Sequence, residues 1–249
     1  MDNTNKVYNY LVETLGAQGA NVEQLPNGGY YVSNWTGKSN WGSNELYIPP
    51  NFNSSNVTVV AHLPGSGGSR NDAIPIRETF MGENAPDYIV AISSHSSDNA
   101  QVLDCVSNIC SDNNVNITDV SLTTFSASGA QGFISLENFL EKNPNTNATM
   151  FVADGYNLSP NGSHVNDLDS LVESKTPVYL VMPENNQNRL SKVAKELIDK
   201  GVDVRIITSD RSGHVDINHD LIRSYMAEYS IGLVDELQGE NLEKCDYTI

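Results

Sequence analysis

Apolar runs and amphipathic stretches alternate along most of this chain. Six runs have the length of single strands: 57–61, 88–92, 120–125, 149–153, 178–182 and 204–207. They are nearly continuous in apolar residues, which is typical of parallel strands covered on both faces of the sheet. Between and after them, 190–198 and 221–229 carry apolar positions at helical spacing. The pattern predicts a three-layer α/β protein, with a mostly parallel central sheet and helices on both faces.

The first fifty residues follow a different pattern. Residues 7–15 place apolar side chains on one face of a predicted helix, which Gly16 ends. Two short strands at 30–32 and 45–48 follow, separated by a polar turn. This arrangement predicts an antiparallel entry to the sheet.

Length and charge limit the possible functions. A chain of 249 residues with 39 % hydrophobic residues can form one domain. We expect 1–249 to be that domain, with 1–50 as its entry region and 235–249 as an acidic surface tail. The formal net charge of −17 argues against nucleic acid and anionic membranes as partners, because both require a basic face. No apolar run approaches the ~20 residues of a membrane-spanning helix.

Cysteine is sparse. Cys105, Cys110 and Cys245 are an odd and low number, so they do not form a disulfide framework, and we expect buried or inert thiols. Residues 1–6 lack a basic segment followed by an apolar run, so no signal peptide is predicted. These features predict a cytoplasmic protein.

Chemistry in an open α/β sheet collects at the carboxyl ends of the strands. Residues 62–69, which follow the first parallel run, read His-Leu-Pro-Gly-Ser-Gly-Gly-Ser. Glycines at this place let backbone N–H groups approach a ligand oxygen. The Gly-Lys-Ser/Thr ending of a phosphate loop is missing. An ordinary glycine-rich turn is the alternative interpretation.

A serine-rich turn joins the 120–125 run to the next predicted helix. Residues 126–132 read Ser-Ala-Ser-Gly-Ala-Gln-Gly. A serine among small residues between a strand and a helix is typical of a nucleophile elbow, where the helix N-terminus can stabilise an oxyanion. Ser126 is the predicted nucleophile because it directly follows the apolar run, and Ser128 is the alternative. A serine-rich helix cap without chemistry is a third interpretation.

A histidine and a carboxylate are needed to activate such a serine. His214 follows the last parallel run, where a general base is expected. The acid is predicted to be Glu184, after the 178–182 run, with Asp154 as the alternative. The chain order of serine, acid and histidine is that of one group of hydrolases. His62 and His95 also lie near strand ends and stay open as site residues.

Four segments resemble the α/β-hydrolase superfamily, in its esterase branch near feruloyl esterases and polyhydroxyalkanoate depolymerases. Residues 46–50 resemble its Tyr-Val-Pro-Pro strand, and 63–68 are similar to its Leu-His-Gly-Ser-Gly-Gly oxyanion loop. Residues 124–129 resemble its Gly-Phe-Ser-Ala-Gly-Gly elbow, and 212–214 resemble its Gly-Gly-His. The order and spacing of these segments carry the resemblance.

Four positions depart from the family's motifs. Pro64 replaces the histidine of the oxyanion loop, and Thr124 and Ser128 replace two glycines of the elbow. The family's usual aspartate aligns best with Asn186. These departures leave a second hypothesis, a hydrolase-like binding protein without turnover. A scaffold that docks partners through its acidic surface is a third.

The resemblance implies a serine hydrolase that cleaves a carboxylic ester of a small molecule. Ser126 and His214 would carry out the chemistry, and backbone N–H groups of Ala127 and of Ser66 or Gly67 would form the oxyanion hole. No metal or organic cofactor is expected. A peptidase or an acyltransferase on the same scaffold is the alternative, and the sequence does not indicate an oligomeric state.

Overall fold

The computed structural model of the chain describes residues 3–35, 44–52, 56–65, 74–81, 88–93, 100–155, 168–183, 187–209, 227 and 242–245. The helices are α1 Asn3–Thr14, α2 Ile74–Met81, α3 Ala100–Asp112, α4 Gly129–Lys142, α5 Asp169–Glu173 and α6 Gln187–Asp199. The strands are β1 Asn21–Gln24, β2 Tyr30–Trp35, β3 Asn44–Ile48, β4 Asn56–Leu63, β5 Tyr88–Ile92, β6 Asn116–Phe125, β7 Asn147–Ala153, β8 Pro177–Pro183, β9 Asp203–Ser209 and β10 Leu242–Cys245.

The described strands join in one sheet with the order β1-β2-β3-β5-β4-β6-β7-β8-β9-β10. The six strands from β5 to β9 in this order are parallel, and they are the six predicted apolar runs. β3, β2 and β1 continue the sheet antiparallel on one side, and β10 closes the other side antiparallel to β9. The predicted fold class is confirmed, as is the antiparallel entry.

Two strands at the edges of the sheet were not predicted. β1 is mostly exposed, with one half-buried residue among its four, so its sequence lacks a hydrophobic pattern. β10 lies within the segment predicted as an acidic tail, where Leu242 pairs with Ser209 of β9. An edge strand has one neighbour in the sheet, and less of its sequence is constrained by burial.

The two faces of the sheet bury alternate residues of each strand. In β7, Met150 and Val152 belong to the large apolar cluster that includes side chains of α1, α3, α4, α5 and α6. Phe151 and Ala153 point to the opposite face, where α2 and the buried helical Ala227 pack farther along the sheet. This period of two confirms helices on both faces. No helix in the described ranges is long and apolar enough to cross a membrane.

A buried carboxylate fixes the start of α5 against α4. Glu137 of α4 is 5 % exposed, and its two carboxylate oxygens accept the backbone N–H groups of Ser170 at 2.6 Å and Leu171 at 3.1 Å. The first N–H groups of a helix have no partner within the helix. Glu137 therefore supplies the cap that α5 lacks in its own sequence.

The two cysteines of α3 are poorly placed for thiol chemistry. Cys110 is buried and Cys105 is half-buried. Burial raises the pKa of each thiol to about 12, and the negative charge of Asp104 adds to the effect at Cys105. Because the thiolate is the reactive form, this supports the prediction of inert thiols.

We expect both helix thiols to resist a thiolate-selective disulfide reagent at pH 8, where a pKa of about 12 leaves roughly 1 in 10⁴ as thiolate. The test uses a Cys245→Ser variant and follows the release of the reporter thiol in the native and the urea-unfolded protein. Burial keeps these thiols neutral in the folded state, so their contribution to stability is present below pH 9 and is lost as the pH rises toward 12. Fast native labelling would contradict the assignment.

Candidate active site

A serine with a left-handed backbone conformation lies between β6 and α4. Ser126 has a φ of +54° and begins the short 3₁₀ turn Ser126–Ser128, which runs directly into α4. Such a φ costs a residue with a Cβ about 1–2 kcal/mol. Ser126 is 6 % exposed. The chain thus reverses within a few residues at the carboxyl end of a central strand, as the sequence predicts.

The hydroxyl of Ser128 is hydrogen-bonded to the main chain at the ends of two neighbouring strands. Its Oγ lies 2.6 Å from the carbonyl oxygen of Leu63 and 2.8 Å from that of Phe125, and these are the acceptors for its single hydrogen. The same Oγ accepts the backbone N–H of Phe125 at 3.3 Å. Ser128 is completely buried. Its hydroxyl therefore bridges the end of β4 and the end of β6.

The glycine-rich loop begins against the serine turn. A Cβ placed on Gly65 would lie 2.9 Å from Cβ of Ser126 and 3.1 Å from Cδ1 of Phe125. Real Cβ atoms do not approach other atoms so closely, so only glycine fits here without a shift. The structure brings the start of the predicted oxyanion loop into contact with the predicted nucleophile.

Asp154 follows β7 directly, beside the serine turn. The preceding Ala153 pairs with Phe125, which precedes Ser126. Asp154 is fully buried, has a φ of +42°, and donates its backbone N–H to the carbonyl oxygen of Val181 at 2.8 Å. Each of two neighbouring strands is therefore followed directly by a residue with a left-handed backbone conformation. Its full burial beside the serine turn makes Asp154 a candidate site residue.

His62 lies inside β4 instead of the loop that follows it. Its Nδ1 is 2.8 Å from Oγ1 of Thr123 on β6, and that hydroxyl donates to the carbonyl oxygen of Ala61 at 3.3 Å. His62 is 1 % exposed. Its position is that of a hydrogen-bonded residue within the sheet.

The other predicted site residues lie outside the described part of the chain. They are Ser66, Gly67, His95, Glu184, Asn186 and His214. The described residues that come together at the carboxyl edge of the sheet are Gly65, Ser126, Ala127, Ser128 and Asp154.

Two solved structures resemble the chain over most of its length. An esterase from the fungus Rhizomucor miehei superposes with a TM-score of 0.50 at 14 % identity, covering 91 % of this chain and 89 % of the esterase. A ferulic acid esterase superposes with a TM-score of 0.50 at 9 % identity, covering 85 % of this chain and 96 % of that one. No protein-family model and no curated protein sequence matches the chain. The chain has the α/β-hydrolase fold. At these identities the likeness concerns the fold alone.

A glycine on the facing helix explains how Thr124 fits where the related motif has glycine. A nucleophile elbow requires the strand and the following helix to approach closely. Here a Cβ on Gly132 of α4 would lie 2.4 Å from Cγ2 of Thr124. The methyl group of the strand residue therefore fills the space that a helix side chain would occupy, while the Thr124 hydroxyl donates to the carbonyl oxygen of Phe151 at 3.3 Å.

The pairing of Thr124 with Gly132 is not evident from the sequence pattern, although the sequence holds one signal of it. Glycine inside a helix is less favourable than alanine by about 1 kcal/mol, so a glycine there points to a packing constraint. Which strand residue imposes the constraint depends on the tertiary contact. At this turn the helix, through Gly132, leaves the room that a glycine on the strand leaves in the related motif.

We expect Gly132→Ala to lower the free energy of unfolding by about 1–3 kcal/mol, because the new methyl group overlaps Cγ2 of Thr124. Adding Thr124→Ser should restore most of the loss, since serine lacks Cγ2 and keeps the hydroxyl. Cε of Met150, 2.8 Å from the place that the new methyl group would take, is the end of a flexible side chain and can move. Urea unfolding followed by circular dichroism measures both variants, with Thr124→Ser alone as the control. A double variant no more stable than Gly132→Ala would refute the pairing.

Proposed function

We propose that this chain is a serine hydrolase that cleaves a carboxylic ester of a small molecule. The observation that carries the proposal is the left-handed backbone of Ser126 between β6 and α4. Backbone strain of this kind is concentrated at functional sites, and a strained serine at this turn is the nucleophile arrangement of the α/β-hydrolase fold. The two solved structures described above are named as esterases, which supports an ester among the possible acyl substrates.

The proposed reaction has two halves. Oγ of Ser126 attacks the ester carbonyl while His214 takes its proton and passes it to the leaving alcohol. Water then attacks the acyl-enzyme, with His214 as the base, and Ser126 regains its proton. Backbone N–H groups of Ala127 and of Ser66 or Gly67 donate to the oxyanion, and losing one such donor costs about 3 kcal/mol of barrier. This chemistry requires neither metal nor organic cofactor.

The hydrogen bonds of Ser128 favour Ser126 as the nucleophile. The Ser128 hydroxyl is completely buried and bonded to the main chain of Leu63 and Phe125. To attack a carbonyl it would have to break these bonds. Both elbow departures, Thr124 and Ser128, are accommodated by their surroundings, and this weakens the reason for a binding protein without turnover.

The position of Asp154 supports it as the acid that orients His214. It is a fully buried carboxyl at the end of β7, directly beside the strand that carries Ser126. Glu184, which the sequence favours, follows β8 and lies outside the described residues. In a triad the acid holds the imidazole in the correct tautomer and stabilises its protonated form. We therefore prefer Asp154 for this role, with Glu184 as the alternative.

Ser126→Ala tests the nucleophile. The hydrolysis of p-nitrophenyl acetate should fall by roughly 10⁴-fold or more, as it does when a triad serine is removed elsewhere. A fluorophosphonate probe should label the wild-type protein at Ser126, mapped by mass spectrometry, and leave the variant unlabelled. Ser135→Ala is the matched control, because Ser135 is a buried serine of α4 with no hydrogen-bond partner among the described residues. A wild-type protein that the probe does not label would favour the binding protein.

A pair of isosteric variants tests the acid. Asp154→Asn should lower kcat by about 10⁴-fold with little change in KM, because the amide stabilises the wrong imidazole tautomer. Glu184→Gln should leave kcat within a few-fold of the wild type. Steady-state kinetics on the same ester measures both. The opposite result would give the role to Glu184.

A further inference from the structure

We propose that Ser128 is a positioning residue for the oxyanion hole, whose hydroxyl holds the start of the glycine-rich loop at a fixed distance from the nucleophile turn. The proposal rests on the proposed function. Its basis is the pair of bonds from one Oγ atom, to Leu63 at the end of β4 and to Phe125 at the end of β6.

Each of these residues lies next to a proposed oxyanion donor segment. Leu63 precedes Pro64 and Gly65, which lead to Ser66 and Gly67. Phe125 precedes Ser126 and Ala127. The distance of 2.6 Å from Ser128 to Leu63 lies within the normal range of a hydrogen bond between a hydroxyl and a carbonyl. One hydroxyl thus links the two segments that together would hold the oxyanion.

The two segments are in close contact, so small movements matter. A Cβ on Gly65 would lie 2.9 Å from Cβ of Ser126 and 3.3 Å from the carbonyl oxygen of Phe125. Gly65 therefore cannot move closer to the turn, and the Ser128 bond to Leu63 adds to the pairing of Leu63 with Thr124 in opposing movement away from it. Oxyanion donors act over a narrow range, about 2.7–3.1 Å from the charged oxygen.

The related elbow motif has glycine at this position and therefore no hydroxyl. In this chain Ser128 supplies a hydrogen bond between loop and turn that glycine cannot make. Because the oxyanion exists only in the transition state, a loosened loop lowers kcat and leaves KM nearly unchanged. A change in kcat without a change in KM therefore distinguishes a positioning role from a role in substrate binding.

The test compares Ser128→Ala and Ser128→Gly with the wild type. We expect both to lower kcat for p-nitrophenyl acetate by about 10- to 100-fold, with KM within about three-fold, as for a small misplacement of catalytic groups. The inhibition constant of a trifluoromethyl ketone, which forms a tetrahedral oxyanion adduct, should rise by a similar factor. Rates are divided by active sites titrated with the fluorophosphonate probe, which should still map to Ser126.

Ser135→Ala is again the control, because it removes a buried hydroxyl of the helix that follows the turn, and this hydroxyl has no hydrogen-bond partner in the described part of the chain. It should keep wild-type kcat and inhibition constant. Ser128→Cys retains a weaker donor of similar size and serves where the alanine variant does not fold, with an expected loss smaller than that of glycine.

Three results would overturn the positioning role. The first is a wild-type kcat and inhibition constant in the folded Ser128 variants. The second is a loss of folded protein with unchanged kinetics per active site. The third is probe labelling at Ser128 itself, which would make it the nucleophile. An active wild type inactivated by Ser126→Ala keeps the proposed function even if the Ser128 proposal fails, whereas an inactive, unlabelled wild type removes both.

Discussion

The left-handed turn at Ser126 is the constraint on which its surroundings depend. A chain that leaves β6 and enters α4 within three residues brings the strand, the helix and the end of β4 into contact. The space for side chains there is so small that two glycines, Gly65 and Gly132, have no room for a Cβ. Close packing transmits small displacements, so each neighbour of the turn helps to fix its geometry.

The turn also shows that glycine in a motif can be replaced where the surrounding residues accommodate a larger side chain. The elbow lacks glycine at position 124, yet the glycine on the facing helix, Gly132, leaves room for the threonine methyl. It lacks glycine at position 128, yet the serine there finds partners for its buried hydroxyl in Leu63 and Phe125. A departure from the motif is therefore a weak argument against function when neighbouring residues make room for the new side chain or bond to it.

The parallel strands could be predicted because most of their residues are buried. The central strands are covered on both faces and read as continuous apolar runs, so all six were found. β1 and β10 lie at the edges, where pairing with one neighbour requires little apolar sequence. At the site, Ser126 was preferred over Ser128 because it follows an apolar run. The bond from Ser128 to Leu63 joins residues 65 positions apart, and no local pattern could reveal it.

The strain at Ser126 can persist because α4 is fixed along its length. At its start, Ser128 is tied to β4. In its middle, Glu137 holds the first turn of α5, and at its end Lys142 forms an ion pair of 2.6 Å with Asp104 of α3. The exposed ion pair adds little energy, so the buried bonds of Ser128 and Glu137 restrain the helix more than the ion pair does, together with its apolar face in the core. A helix held in this way cannot rotate to relax a turn that costs about 1–2 kcal/mol, and the serine stays in its left-handed conformation.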